Sequence, residues 1–137
     1  MRDIETRKDI DELVAAFYEK AMNDERIGYI FTDVAKIDLE HHLPIIADFW
    51  EMLLLGGLNF QAKYRRSPMQ VHQALNAKET LRAEHFSRWV SLFCETVDEK
   101  YAGATATLAK VRAFSIAETM RIKFSSKSGA GVRIAQG

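Results

Sequence analysis

The chain has 137 residues, 47% of them hydrophobic and 28% charged, which is typical of one globular domain with a sizeable core. Lysine plus arginine and aspartate plus glutamate both number 19, so the composition gives no basic surface for nucleic acid or for an anionic membrane. The charged amino terminus lacks the apolar core of a secretory signal, and the single Cys94 excludes an internal disulfide. We therefore expect a cytoplasmic protein that has no membrane span.

An amphipathic helix is predicted from about Thr6 to Asn23, because apolar residues recur there at intervals of three and four. Thr6 with Asp9 resembles the pair that starts a helix. Tyr18 lies on or beside the buried face, so its hydroxyl either reaches water at the core boundary or donates into a pocket. A short helical turn with Phe31 follows, and this ring either packs in the core or forms one wall of a pocket.

The stretch from Asp38 to Leu55 predicts a helix that carries a histidine on its apolar side. Asp38 is the expected cap, Gly56 ends the helix, and Pro44 predicts a bend near the histidine. The residues that share this side are His42, Ile45, Ile46, Phe49 and Leu53. An imidazole in such surroundings needs a hydrogen-bond partner, so His42 is either a satisfied core residue or part of a site.

The next segment contains a cluster of cations and a second histidine. Three cations and one phenol stand together as Lys63, Tyr64, Arg65 and Arg66. Such a cluster is either solvated surface or a partner for the acidic groups of a ligand. Pro68 can open a short helix in which Met69 and His72 are three residues apart, so His72 also has apolar neighbours on its side.

Two longer helices are predicted to complete the fold, from about Lys78 to Tyr101 and from Ala104 to Phe124. The inward stripe of the first is Phe86, Trp89, Val90, Phe93 and Val97. Trp89 needs an acceptor for its indole N–H when buried, and His85 is expected at the rim. The inner stripe expected for the second is Leu108, Val111, Ser115 and Met120.

No segment alternates with the period of a half-buried strand, so we expect an all-α fold. The domain should span residues 1–124, and residues 125–137 should form a flexible tail. Cysteine–histidine zinc patterns, Glu-x-x-His pairs and glycine-rich phosphate loops are absent from the sequence. A planar, apolar cofactor between helices does fit, with His72 on one side and Tyr18, His42 and Trp89 on the other, and haem is the obvious candidate.

Four motifs in combination resemble the group III truncated haemoglobins. They are FY at Phe17-Tyr18, HLPxxxDFW from His42 to Trp50, SPMxxHxxL around His72, and HFxRWxxLF from His85 to Phe93. The similarity extends over about residues 8 to 124. It differs from the family pattern before Pro68, where Arg65-Arg66-Ser67 stands in place of a small residue or glycine.

The resemblance implies a truncated globin fold, a two-over-two helical sandwich around haem b. His72 would match the iron ligand of the family, and the distal polar set would be Tyr18, His42 and Trp89. Phe31 would pack against the haem and Ile46 would form a distal wall. Further residues expected to contact the cofactor are Phe49, Met69, Tyr64 and Arg65.

The function that the resemblance implies is reversible binding of oxygen, carbon monoxide and nitric oxide. Nitric oxide dioxygenation or peroxidase-like chemistry would require an external reductase. We expect no nucleic acid or membrane partner, and a monomer or weak homodimer. One alternative is a cofactor-free helical interaction module in which the same histidines are satisfied core residues. A third is metal hydrolysis by His41, His42 and His85. His41 and His42 are adjacent on a helix, however, so their side chains point about 100° apart and cannot easily converge on one ion.

Overall fold

The computed structural model describes residues 1–34, 36–56 and 81–128. In those ranges the chain forms four α-helices and one π-helical turn, and no strand occurs there. The elements are α1 (Arg7–Met22), the π-helical turn (Ile30–Val34), α2 (Leu39–Leu55), α3 (Ala83–Lys100) and α4 (Ala104–Ser128). The all-α expectation is confirmed. None of the described helices is both long enough and apolar enough to cross a bilayer.

The helices form two pairs, one laid over the other. Helix α1 packs on α2, α3 packs on α4, and contacts between α1 and α3 and between α2 and α4 join the pairs. The centre of this sandwich is aromatic, since the rings of Trp50 and Phe93 stack with centroids 4.7 Å apart. This two-over-two arrangement is the one that the resemblance implied.

Helix α1 begins and ends close to where the sequence predicts. Thr6 caps it, because its side chain accepts from the backbone N–H of Asp9 while the Asp9 carboxylate accepts from that of Thr6. The buried side consists of Ile10, Leu13, Val14, Phe17, Tyr18 and Ala21. Ion pairs hold α1 to its neighbours: Arg7 donates to Asp48 and Glu51 of α2 at 2.7 and 2.9 Å.

The residues before α1, which we call the N-terminal strap (residues 1–6), cross to the start of α4. The Asp3 carboxylate accepts from the backbone N–H groups of Thr105 and Ala106 at 2.8 and 2.7 Å. Those amides have no partner within the helix, so the carboxylate caps α4 from a distant part of the sequence. Arg2 donates to the buried carboxylate of Asp9. The strap thereby ties α1 to the corner between α3 and α4.

Helix α2 has two inward sides that differ in burial. The fully buried residues are Ala47, Trp50 and Leu54. The residues predicted to share a side with the histidine are half-buried: His42, Ile45, Ile46, Phe49 and Leu53. The helix runs continuously past Pro44 and ends at Leu55, where Gly56 takes a φ of 71°.

Two details of the last helices differ from the prediction. Helix α3 begins at Ala83, because Arg82 has an extended backbone and is its N-cap, so the predicted start at Lys78 is too early. The predicted inner stripe of α4 is wrong at Val111, which is 52% exposed, and at Ser115, which is exposed as well. The inward residues of α4 are Ala106, Ala109, Ala113, Ala117 and Met120.

Alanine is the reason for that error. The small alanine side chains are completely buried and let α4 pack closely against α3. They contribute little, however, to an apolar pattern that gives more weight to large residues. Helix α4 also continues to Ser128, four residues beyond the predicted end at Phe124. The division into a domain and a tail stays a prediction.

Candidate functional site

Tyr18 and His42 form a polar pair between α1 and α2. The Tyr18 hydroxyl oxygen lies 3.2 Å from Nε2 of His42, and the two rings meet edge to face with centroids 5.4 Å apart. Tyr18 is only 7% exposed, whereas His42 is half-buried. The tautomer of the imidazole decides which group donates. Two residues that the sequence selected separately are therefore in direct contact.

The π-helical turn carries Phe31 to the same place. The Phe31 ring is half-buried and meets the ring of Tyr18 edge to face, with centroids 5.6 Å apart and an interplanar angle of 88°. The backbone closes after the turn, where the N–H of Ile37 donates to the carbonyl of Phe31 at 2.9 Å. Short π-helical turns are rare and often occur at functional sites. Phe31 thus forms an apolar wall beside the polar pair.

Trp89 of α3 is joined to this pair through an aromatic neighbour. Phe17 makes edge contacts with Tyr18 at 5.2 Å and with Trp89 at 5.8 Å between centroids. Trp89 is half-buried and also stacks on Phe93 at 5.8 Å. Alternate stacked and edge contacts are favourable for aromatic rings, and here they hold the indole in one orientation.

Ile46 and Phe49 lie on the half-buried side of α2, on which His42 also stands. Both pack against the core, and Phe49 makes an edge contact with Trp50 at 5.6 Å between centroids. Their remaining exposure gives α2 an apolar surface one turn and two turns beyond the histidine. The described part of the candidate site therefore consists of apolar walls with a polar pair between α1 and α2.

The other predicted site residues are Tyr64, Arg65, Met69 and His72, and all four lie outside the described residues. Their roles stay predictions from the motif around His72. The third hypothesis, a metal site from His41, His42 and His85, finds no support in the described ranges, where no three potential ligand side chains gather.

Sequence reasoning missed a second polar pair, formed by Tyr29 and His85. The prediction placed His85 at the rim, but it is 8% exposed and its Nε2 lies 3.3 Å from the hydroxyl oxygen of Tyr29. Its Nδ1 accepts from the backbone N–H of Arg82 at 3.0 Å. A polar side chain at the third position of a helix often accepts from the backbone N–H of the N-cap residue. The position of His85 in α3 would therefore have indicated its contact with Arg82.

An ion pair supports the same region. Arg88 donates to one carboxylate oxygen of Asp24 at 2.7 and 2.9 Å, and that carboxylate also accepts from the backbone N–H of Ile27. The hydrogen bond with Arg88 holds the pKa of Asp24 below its usual range. The segment between α1 and the π-helical turn is thereby fastened to α3.

Comparison with known proteins agrees with this description. No family model matches the chain. A group 3 truncated haemoglobin of Campylobacter jejuni subsp. jejuni serotype O:2 is 29% identical over 98 residues, which cover 69% of this chain and 72% of that protein. The crystal structure of group III truncated haemoglobin from Campylobacter jejuni matches with a TM-score of 0.75 and 25% identity, covering 89% of this chain and 94% of the other.

The fold, the motifs and the two comparisons lead to one assignment. The two-over-two sandwich of helices is a truncated globin fold, as the resemblance implied. The same family is found from the sequence and from the structure. In sequence and in fold, the chain is similar to the group III truncated haemoglobins.

Proposed function

We propose that this protein holds haem b and binds oxygen, carbon monoxide and nitric oxide reversibly. The observation that carries the proposal is the 3.2 Å contact between Tyr18 and His42, a polar pair beside the apolar ring of Phe31. A hydroxyl and an imidazole set in an apolar wall are suited to a small ligand that gains partial negative charge. The similarity to truncated haemoglobins in sequence and fold supports the same function.

The described residues fit one side of a haem. Such a cofactor needs mostly apolar walls with a few well-placed polar groups. Phe31, Ile46 and Phe49 supply apolar surface, while Tyr18, His42 and Trp89 supply the polar hydrogens. On the other side, the motif assigns iron ligation to His72 and packing to Met69. Tyr64 and Arg65 would hold the propionates, for which a guanidinium is a good partner.

Haem iron, when bound, supplies the position at which a diatomic gas binds. The protein determines how long the gas stays. The Tyr18 hydroxyl and the Trp89 indole can donate a hydrogen bond at neutral pH. In a site from which water is excluded, such donors stabilise negative charge on the ligand and slow its release. We therefore propose slow oxygen release, which is poorly suited to oxygen transport.

Redox turnover is a further part of the proposal. Nitric oxide dioxygenation and peroxide reduction both use a pocket of this kind, and both require electrons. An external reductase would have to supply them. We propose a cytoplasmic monomer or weak homodimer for this role.

The experiment that tests the function is an absorption spectrum of protein produced with a supply of haem. Oxidised, reduced and carbon monoxide-treated samples of the wild type and of His72→Gly are compared. We expect an intense Soret band that shifts with carbon monoxide and that is lost or displaced in His72→Gly. Tyr101→Phe serves as the control, because its hydroxyl bonds to the backbone of Asp9 away from the site.

Two outcomes would contradict the proposal. A wild-type protein with helical circular dichroism and no Soret band would not be a haem protein, and the interaction module would become the better hypothesis. A Soret band that is unchanged in His72→Gly would show that another residue holds the iron.

A further inference from the structure

His85 makes a hydrogen bond through each of its ring nitrogens. Nδ1 accepts from the backbone N–H of Arg82 at 3.0 Å, and Nε2 lies 3.3 Å from the hydroxyl oxygen of Tyr29. The ring is 8% exposed and meets the ring of Tyr29 edge to face at 6.3 Å between centroids. These contacts join the start of α3 to the residue that precedes the π-helical turn.

The backbone contact defines the form of the imidazole. A nitrogen that accepts from an N–H carries no hydrogen, so the ring is neutral and its hydrogen is on Nε2. Nε2 must then donate to Tyr29, whose hydroxyl oxygen accepts. His85 therefore completes the N-terminal cap of α3 with one nitrogen and holds the Tyr29 phenol with the other.

The segment that Tyr29 holds leads directly to the polar pair. Phe31 is two residues further on and meets the ring of Tyr18 at 5.6 Å between centroids. Asp24 and Arg88 fasten the other end of the segment to α3. Between these two fastenings the backbone of Gly28 lies close to the end of α1, where a Cβ would be 2.6 Å from the carbonyl oxygen of Met22.

We propose that Tyr29 and His85 are positioning residues of the gas-binding site. Through the π-helical turn they hold Phe31 against Tyr18, and Phe31 holds the Tyr18 hydroxyl in the orientation that meets His42. This inference rests on the proposed function. Neither residue touches the ligand, and both act through Tyr18.

A double-mutant cycle tests the inference in the haem-loaded protein. Tyr29→Phe removes one hydroxyl and should accelerate oxygen release about threefold, a modest coupling between neighbouring residues. In a Tyr18→Phe background the same change should have no effect, because the group through which it acts is gone. A threefold effect that persists in that background, or no effect in the wild type, would overturn the proposal.

Two further variants separate positioning from loss of stability. His85→Leu should release oxygen as fast as Tyr29→Phe, whereas His85→Gln should restore the slow rate, since its amide can accept from Arg82 and donate to Tyr29. Tyr101→Phe removes a phenol hydrogen bond of the same 3.3 Å length elsewhere and should leave the rate unchanged. A change in Tyr101→Phe as large as that in Tyr29→Phe would mean that general loosening is the cause.

Nitrogen-15 NMR of the histidine rings provides a measurement that needs no haem. His85 should show an unprotonated Nδ1 and a protonated Nε2 in the wild type. Tyr29→Phe should shift the ring nitrogens of His42, which report the contact with Tyr18. Absence of a Soret band would count against the proposed function alone. Unmoved His42 resonances in Tyr29→Phe would count against the positioning role alone.

Discussion

At the scale of single residues, Tyr18 has two uses for one hydroxyl group. It is 7% exposed and bonds to His42, and in the proposed function it also donates to a bound gas. If His42 donates to the phenol oxygen, the Tyr18 hydrogen is available to the ligand. The imidazole tautomer would then control the strength of gas binding without any change in the walls.

Removal of the distal donors should accelerate oxygen release in steps. Tyr18→Phe and Trp89→Phe should each raise the rate up to about tenfold, since one hydrogen bond contributes about 1–1.5 kcal/mol. The double variant should release up to about a hundredfold faster. Stopped-flow mixing of the oxygenated protein with an oxygen scavenger measures these rates. Unchanged rates in both single variants would show that the two side chains point away from the ligand.

Residue types were easier to predict than their contacts. The sequence selected Tyr18, His42, Phe31 and Trp89 because their spacing places them on inward sides of helices, but spacing along one helix gives no distance between helices. The contact between Tyr18 and His42 depends on how α1 packs on α2. The position of His85 was wrong because its partner Tyr29 lies in a turn that has no periodic pattern.

At the scale of the elements, the corner between α3 and α4 is closely fitted to the N-terminal strap. Gly103 has a φ of 141°, and a Cβ there would lie 2.5 Å from Cγ of Asp3. That carboxyl group cannot move away freely, because it accepts from the first amides of α4. Glycine is therefore needed both for the backbone conformation and for the close approach of the cap.

Gly103→Ala should lower the free energy of unfolding by about 2–3 kcal/mol, through backbone strain and a displaced cap. Asp3→Ala should cost about 1 kcal/mol from the cap alone. The double variant should lose less than the sum of the two, because Cγ and Oδ2 of Asp3, the two nearest of the clashing atoms, are absent. Urea unfolding measures all three free energies.

Gly56→Ala is the matched control for backbone strain. Gly56 also has a positive φ, of 71°, but a Cβ there would have no atom within 4 Å. Gly56→Ala should therefore cost only the backbone strain, about 1–2 kcal/mol, without a steric clash. If Gly103→Ala and Gly56→Ala cost the same, or if the effects of Asp3 and Gly103 are additive, the close approach does not matter for stability.

The ends and the inward sides of helices were predicted correctly where they depend on residues that are close together in the sequence. The start of α1 followed from Thr6 and Asp9, because a cap of this type is complete within four residues. The start of α4 at Ala104 was also predicted correctly, but its cap is Asp3, about a hundred residues away, and no local pattern contains that contact. The exposed Val111 shows the same limit, since the inward side of α4 was decided by how closely α3 packs and not by residue size.

At the scale of the whole molecule, two carboxylates hold the N-terminal strap: the buried Asp9 bonds to Arg2 within the strap, and the half-buried Asp3 bonds to the start of α4, about a hundred residues away. The hydrogen bond from Arg2 holds the pKa of Asp9 below its usual range, despite the opposing effect of burial. Burial would raise the pKa of Asp3, but hydrogen bonds from the amides of Thr105, Ile4 and Ala106 outweigh it, and the pKa is lowered. The contacts of the strap therefore favour the ionised form of both carboxylates.

The protein should lose stability in acid through these groups. An aspartate in the unfolded chain has a pKa of about 3.9, and the pKa values of Asp3 and Asp9 are lower in the folded protein. The stability that these two carboxylates contribute is complete above their pKa in the unfolded chain. It is lost as the pH falls towards their pKa in the folded protein. Urea unfolding at pH 7, 5, 4 and 3 should show most of this loss below about pH 4.

Asp9→Asn tests the origin of that loss. The variant should be less stable than the wild type at pH 7, and its stability should fall less between pH 5 and pH 3, because one titrating group has been removed. Glu25→Gln, which changes an exposed carboxyl in the loop after α1, should retain the full wild-type slope. Equal slopes in Asp9→Asn and the wild type would contradict the role of Asp9.

The strap also determines the order in which the protein can be completed during synthesis. Asp3 is separated by 102 and 103 residues from the two amides that it caps. A ribosome adds about 5–20 residues per second, so roughly 5–20 s pass between the synthesis of the carboxylate and that of its partners. Helix α1 can form during that interval, but its connection to α4 cannot. The part of the chain that is made first is therefore among the last to reach its place.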